Sequence, residues 1–277
     1  RFDPEQVLTL IDSHSIEYMG LVPTMMSRIL RLPEEQRERY DLSSLRKVVT
    51  SSAPCSQWLM RAWIKWLGPQ RLCEAYGATE RIGGTLISGE EWLLRPGSVG
   101  KPTLGREIRI ADAQGRALPP GQTGEVWLRP AAGTSVSFFY LGDEPAPATR
   151  DGWYALGDLG YLDQEGYLYL VDRKTDRIIS GGVNLYPAEI EAALEAHDAI
   201  ISSAVIGLPD DDLGERVHAI VQSDKPLETE TLRNFLRQNL AAIKIPKSFE
   251  FVDTPLRDDA GKVRRSALRS RRLELTA

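Results

Sequence analysis

Cysteine is scarce in this 277-residue chain, which holds only Cys55 and Cys73. Two cysteines without metal-ligand spacing exclude a disulfide scaffold and a thiolate metal site, and both read as small apolar residues in a reducing compartment. No apolar run approaches the roughly 20 residues of a membrane-spanning helix, and no secretory leader is visible, so the expected location is cytoplasmic. Positive charge is not in excess either. With 34 Lys and Arg against 39 Asp and Glu the net charge is −5, so no whole-chain field draws the protein to nucleic acid. The three histidines, His14, His197 and His218, show neither ligand nor base spacing. Internal repeats and low-complexity tracts are missing. So is an initiating Met: the chain starts at Arg1 in the loop-like Arg1-Phe2-Asp3-Pro4, from which we expect a preceding stretch of protein.

What is present is an ordinary core-forming composition, 42% hydrophobic and 26% charged, at a length that favours two domains. Behind an Asp3-Pro4 cap, the recurrence of Val7, Leu8, Leu10 and Ile11 predicts a helix over residues 4–15. A buried strand is expected over 18–22, a helix over 23–32, a strand over 45–51 and an amphipathic helix over 56–67. This β/α alternation predicts a layered parallel sheet. After Arg95 come short β-rich pieces at 107–111, 124–128, 153–161 and 167–171, punctuated by Gly and Pro, which predict a small β-barrel or curled sheet. From Thr175 the pattern turns α+β, with helices over 187–196 and 227–240 and strands near 202–206, 217–222 and 248–251. The expected fold class is therefore α/β: a partial layered β/α N-terminal domain with a small β-barrel-like subdomain, then a small α+β C-terminal domain. The texture changes at residues 172–176. The late basic run of Arg264, Arg265, Arg269, Arg271 and Arg272 reads as a solvated helix face rather than an RNA-binding tail.

Chemistry-bearing residues follow in a fixed order: Tyr76-Gly77-Ala78-Thr79-Glu80, Gly157-Asp158, Asp172-Arg173, Ser180-Gly181-Gly182 and Gly261-Lys262. A hard oxygen ligand for a metal, a second carboxylate for ribose hydroxyls, an arginine, a glycine pair and a late lysine are what activation of a carboxylic acid as its adenylate requires. Any one of them in isolation would be a turn glutamate, a surface ion-pair residue or an exposed lysine. The order carries the argument.

In that order the motifs resemble the C-terminal part of the adenylate-forming superfamily of acyl-CoA synthetases, peptide-synthetase adenylation domains and luciferases, over about residues 2–269. The resemblance implies an ATP-dependent acyl-CoA ligase, AMP-forming, that first adenylates an acid and then makes its CoA thioester by domain alternation. It implies residues 1–173 as the C-terminal portion of a large domain and 174–277 as a small mobile domain. Tyr76 and Gly77 would face adenine, the Thr79 hydroxyl would meet the α-phosphate, and Glu80 would coordinate Mg²⁺. Asp158 and Arg173 would hold the ribose, Ser52 and Ala53 would edge adenine and the acyl pocket, and Val22 to Met26 would line its apolar side. Gly181 and Gly182 would let pantetheine lie against the backbone, Lys247 would meet a CoA phosphate, and Lys262 would bridge the acid and the α-phosphate during adenylation. The implied ligands are thus ATP or AMP, Mg²⁺, coenzyme A and a carboxylic acid, with no nucleic acid and no membrane span.

The chain departs from the family pattern in places. Thr175 stands at the hinge, where Asp or Lys is usual; Ser51-Ser52 replaces Gly-Gly; and Arg257-Asp258-Asp259-Ala260 precedes the lysine in place of Pro-Arg-Thr or Pro-Lys-Asn. The phosphate-binding loop rich in Ser, Thr and Gly and ending in Pro-Lys does not occur in these residues. A missing N-terminal portion or a split partner is therefore expected to supply it, and a homodimer is left open. Residues 22–29, 205–221 and 251–265 look closest to bacterial bile-acid and steroid CoA ligases, which implies a bulky hydrophobic or steroid-like acid. Two alternatives stay open: the thioesterification-only half of a split ligase, and a non-catalytic remnant or binding module.

Overall fold

Capping and apolar spacing set the first element. In the computed structural model, which describes residues 2–134, 138, 140, 148–223, 225–258 and 261–274, α1 (Pro4–His14) begins where Asp3 Oδ1 accepts from the N–H groups of Glu5 (3.0 Å) and Gln6 (3.1 Å). Arg1, Asp259 and Ala260 of the sequence reading lie outside the described residues. The chain divides into two compact units, one built on Arg1–Leu170 and the other on Val171–Asp258 and Lys262–Ala277.

In the first unit, β1 (Tyr18–Leu21), β2 (Lys47–Thr50), β3 (Leu72–Gly77), β4 (Gly84–Ser88) and β5 (Lys101–Pro102) lie side by side in that order. The helices α2 (Pro23–Leu30), α3 (Glu34–Arg37) and α4 (Gln57–Leu67) connect the first three strands, and α5 (Gly89–Leu94) follows β4. Leu8, Ile11, Met26, Ile29, Met60 and Trp63 from the helices meet Val48 and Leu72 from the strands in one core. Met26 is fully buried there, so it serves the core rather than a pocket wall.

The expected parallel sheet holds only for β1, β2 and β3. β4 runs antiparallel to β3, and β5 antiparallel to β4. The few residues between Gly77 and Gly84 are too short for a crossover, which needs about a dozen, so the chain can only turn back on itself.

The second sheet of this unit consists of β6 (Glu107–Ala111), β7 (Gly124–Arg129), β8 (Ala148–Arg150), β9 (Trp153–Leu162) and β10 (Leu168–Arg173). Its order is β10-β9-β7-β6, with β8 also on β9, so it curls without closing. Ile82, Val99, Ile110, Val126, Leu128 and Leu168 fill its concave core.

The second unit is α+β. A long antiparallel hairpin, β13 (Ile200–Asp210) and β14 (Gly214–Ser223), is flanked by the short β11 (Ile178–Ser180) and β12 (Val183–Leu185) and by β15 (Ser248–Val252), which runs parallel to β14. α6 (Pro187–Glu195) and α7 (Thr229–Arg237) cover it through Ile190, Leu194, Leu232 and Leu236.

The last helix, α8 (Arg265–Glu274), corrects the reading of the basic run. Arg265 and Arg272 face inward with Leu268 and Leu273, while Arg264, Arg269 and Arg271 are exposed. Arg265 reaches Asp176 (2.7 Å) and Glu191 (2.7 Å), Arg269 reaches Gly207 O (2.8 Å) and Glu215 (3.1 Å), and Arg272 holds both oxygens of Glu250 at 2.7 Å. The side chains of Arg265 and Arg272 are only 16% and 15% exposed, so two of the five arginines expected on a solvated face belong to an ion-paired interior.

Replacing Arg265 with Met leaves Glu191, whose side chain is 5% exposed, with Arg257 at 3.6 Å as its remaining cation. The expected loss is about 3 kcal/mol, against less than about 0.5 kcal/mol for the exposed Arg271→Met. Urea denaturation followed by far-UV circular dichroism measures both.

Candidate functional site

Because β1, β2 and β3 run parallel, their C-terminal ends open on the same side, and the loops after β2 and β3 emerge there together. β3 delivers Tyr76 and Gly77 to its end, with the exposed Thr79 and the half-buried Glu80 just beyond. Tyr76 Oη donates to Asp158 Oδ2 at 2.6 Å, which joins the end of β3 to the middle of β9 across 82 residues of sequence. Gly77 lies in register with Gly84 on β4. A Cβ on Gly84 would stand 2.6 Å from Tyr76 O, so this crossing tolerates no side chain there.

Glu80 Oε1 accepts from Tyr140 Oη at 2.7 Å. Sequence reasoning missed Tyr140, because an isolated aromatic outside any motif carries no signal. After β2, Ser52 adopts φ 75°, a left-handed conformation that costs a non-glycine residue and fits a position where the family pattern has Gly. Ser52 is exposed and Ala53 half-buried.

Glu74 was missed as well. Two residues before Tyr76, and hence on the same side of β3, it is 6% exposed. Burial, against the opposing pull of the Cys55 backbone N–H, pushes its pKa up to about 8. Among the described residues, the buried Thr50 hydroxyl, in register with Glu74, has no hydrogen-bond partner. The signal available was position alone: β3 is a central strand, and Leu72 two residues earlier is buried.

The second unit carries the remaining candidates. Arg173 is exposed at the end of β10, and its N–H donates to Asp172 Oδ1 (2.7 Å). Asp172 Oδ2 accepts the Ala188 N–H (2.8 Å) in the first turn of α6, so it holds that helix end. Thr175 Oγ1 donates to Asp176 Oδ1 at 3.3 Å. Gly181 (φ 55°) and Gly182 (φ 78°) form the two-residue turn between β11 and β12, where Ser180 pairs with Val183. Two consecutive positive φ values are what such a hairpin turn demands, and glycine supplies both without strain.

β11 and β15 pair with successive stretches of the β14 edge opposite β13, which places the glycine turn and Lys247 along one strand edge. The Lys247 N–H donates to Val217 O (2.9 Å), and its side chain borders a shallow recess lined by Arg233, Arg237, Ala242, Ile245 and Pro246. Lys262 is exposed in its own turn before α8, where its N–H donates to Asp258 Oδ1 (2.9 Å) and its carbonyl accepts from Asp258 (3.1 Å). His218 is structural: Nδ1 pairs with Ser248 Oγ (2.8 Å), and burial holds its pKa below the usual value. Among the described residues no cluster of three or more His, Cys, Asp or Glu forms a metal cage, and no helix is long and apolar enough to cross a membrane.

Residues 1–138 match the family model described as "AMP-binding enzyme", and residues 189–262 match that described as "AMP-binding enzyme C-terminal domain". The chain is 34% identical to the 2-succinylbenzoate–CoA ligase of Bacillus licheniformis over 97% of its own length and 54% of the relative's. It is 36% identical to the long-chain-fatty-acid–CoA ligase of Bacillus subtilis, over 97% and 48%. Among solved structures, the o-succinylbenzoate CoA synthetase of Bacillus subtilis in complex with its acyl-adenylate intermediate superposes with a TM-score of 0.81 at 33% identity, over 97% of this chain and 54% of that one. The same synthetase, solved with ATP and magnesium ion, gives 0.80. The chain thus spans about half the length of the relatives it matches.

Two substitutions probe this geometry. Tyr76→Phe keeps the ring but loses the bond to Asp158, and denaturant unfolding is expected to show a loss of about 1 kcal/mol. Burial raises the Asp172 pKa from 3.8 to about 6, against the opposing pull of the Ala188 N–H and Arg265. The folded-state value is the higher one, so its stabilising contribution is complete below about pH 4, declines as pH rises through about 6 and is absent above. Asp172→Asn, which keeps an acceptor for Ala188, is expected to remove that slope from denaturation midpoints measured between about pH 4 and 7.

Proposed function

Since the chain belongs to the AMP-binding enzyme family, we propose that it is part of an ATP-dependent acyl-CoA ligase. Such an enzyme joins a carboxylate to the α-phosphate of ATP with loss of pyrophosphate, then passes the acyl group from AMP to the thiol of coenzyme A. The observation that carries this reading is the Tyr76–Asp158 hydrogen bond, which brings a flat aromatic face and a ribose-ready carboxylate together at the end of β3.

In this reading Tyr76 and Gly77 bind adenine with Ser52 and Ala53 at its edge, and Asp158 and Arg173 hold the ribose. The Thr79 hydroxyl meets the α-phosphate. Glu80 has the hard oxygen donors that Mg²⁺ prefers, and with only one carboxylate in place the ion would complete its shell with phosphate oxygens and water. The magnesium supplies charge neutralisation at the phosphates. Lys262, exposed before α8, brings the cation that offsets the charge developing on the α-phosphate as the carboxylate attacks. For the second step the Cβ-free turn at Gly181 and Gly182 admits pantetheine, and Lys247, beside Arg233 and Arg237, takes a phosphate of coenzyme A.

The division into roles follows the chain. Residues 1–173 serve as the C-terminal portion of the large domain and 174–277 as the small mobile domain, turning about Thr175 between the two steps. A preceding portion of the protein, or a separate half, supplies the donors for the β- and γ-phosphates. Among acids we favour a bulky hydrophobic or steroid-like one, on the likeness of residues 22–29, 205–221 and 251–265.

Calorimetry of the 277-residue chain tests the phosphate accounting. AMP is expected to bind, and ATP no more tightly, because the adenosine and α-phosphate contacts lie within this chain. Tight ATP binding with pyrophosphate exchange by these residues alone would overturn the accounting. In the whole protein, Lys262→Ala is expected to lower adenylate formation by at least about 100-fold while sparing thioester formation from a supplied adenylate. Equal loss of both steps would make Lys262 structural.

A further inference from the structure

Lys262 sits in a short turn whose two stems are held in the same way. Within the turn the Lys262 N–H donates to Asp258 Oδ1 (2.9 Å) and the Asp258 N–H to Lys262 O (3.1 Å), which closes the loop on itself. Just before Asp258 comes Arg257, and three residues after Lys262 comes Arg265. Both reach α6. Arg257 Nη2 lies 3.0 Å from Glu195 Oε1 and 3.6 Å from Glu191 Oε2, while its Nε donates to Ser202 Oγ (3.2 Å). Arg265 spans Glu191 with two bonds, Nε to Oε1 (3.1 Å) and Nη2 to Oε2 (2.7 Å), and its Nη1 donates to Asp176 Oδ2 (2.7 Å).

Glu191 and Glu195 are four residues apart, so they stand one turn above the other on a single face of α6. Their oxygens are themselves aimed by β13, since Glu191 Oε1 accepts the Val205 N–H (2.8 Å) and Glu195 Oε1 the Ser203 N–H (3.0 Å). Carboxylates fixed in this manner suit the planar fork of an arginine, which lysine lacks.

We infer that Arg257 and Arg265 are positioning residues for Lys262: seated on Glu191 and Glu195, they set both ends of the turn that presents its ammonium group. The purpose rests on the role proposed for Lys262, and the seating rests on the ion pairs alone. Arg265 does one thing more. Its bond to Asp176, the residue directly after Thr175, joins the Lys262 turn to the start of the segment that follows the proposed hinge, so the lysine travels with that segment as part of one body.

Arg257→Lys and Arg265→Lys, made in the whole protein, keep the charge and lose the fork, with the exposed Arg271→Lys as control. The readouts are amide hydrogen exchange over residues 256–263 and the two half-reactions measured separately. Each variant is expected to exchange the Asp258 and Lys262 amides about tenfold faster and to form adenylate about tenfold more slowly, with thioester formation from a supplied adenylate within about twofold of wild type. In a Lys262→Ala background, where no ammonium is left to place, the same changes are expected to cost less than about twofold further. Should Arg265→Lys prove unfolded by circular dichroism, Arg257→Lys decides alone, because it leaves the Glu191–Arg265 pair in place. Wild-type exchange rates overturn the seating. Faster exchange with wild-type adenylate formation overturns the positioning role, as does equal loss of both half-reactions or an undiminished loss in the Lys262→Ala background. If Lys262→Ala itself forms adenylate at the wild-type rate while exchange is faster as expected, the seating is supported and the positioning role falls together with the one proposed for Lys262.

Discussion

The hydrogen bond from Tyr76 to Asp158 is the constraint around which the first unit is organised. It links the two sheets of that unit at the point where β3 ends and β9 passes, and it spans 82 residues of sequence. Everything that brings Tyr76 there is backbone geometry: three parallel strands that end on the same side, and a glycine at position 84 that lets β4 return against Tyr76 without a Cβ in the way. Everything that brings Asp158 there is the bulged pairing of β7 with β9, whose register shifts between Glu125 and Trp127. The fold of this unit matches the adenylate-forming fold because those two paths converge.

Much of this was legible in the sequence. The helix α1 announces itself through Asp3, Pro4 and the spacing of Leu8 and Ile11, since caps and periodicity are local. The β-rich texture after Arg95 likewise became the curled second sheet. Strand direction was not legible in the same way. The run Gly84–Ser88 alternates too briefly to stand out, and it is a loop-length argument, available only once β3 and β4 are both placed, that makes it antiparallel.

Burial of charge was the harder matter. A basic run such as Arg264 to Arg272 has the same composition whether its arginines meet water or carboxylates, and the carboxylates here lie at Asp176, Glu191, Glu215 and Glu250, far away in sequence. Glu74 poses the converse difficulty: an acidic residue two positions before a recognisable motif draws no attention, although its place on a central strand already requires burial. Motif residues are chosen by chemistry with a ligand, which similarity records; residues that support them are chosen by contacts, which only coordinates record.

Glu191 gives the second unit a particular order of assembly. One carboxylate on α6 accepts from the Val205 N–H, pairs with Arg257 and takes two hydrogen bonds from Arg265, which stands 74 residues further on. Asp176 waits for the same arginine across 89 residues. On a ribosome the hairpin β13–β14 and helix α6 emerge early and can join through local contacts, yet the acid between them keeps an open coordination until α8 is made. The acid cluster of the unit is therefore complete only once α8 is made, and a nascent chain halted before Arg265 lacks the cation that gives Glu191 two of its hydrogen bonds.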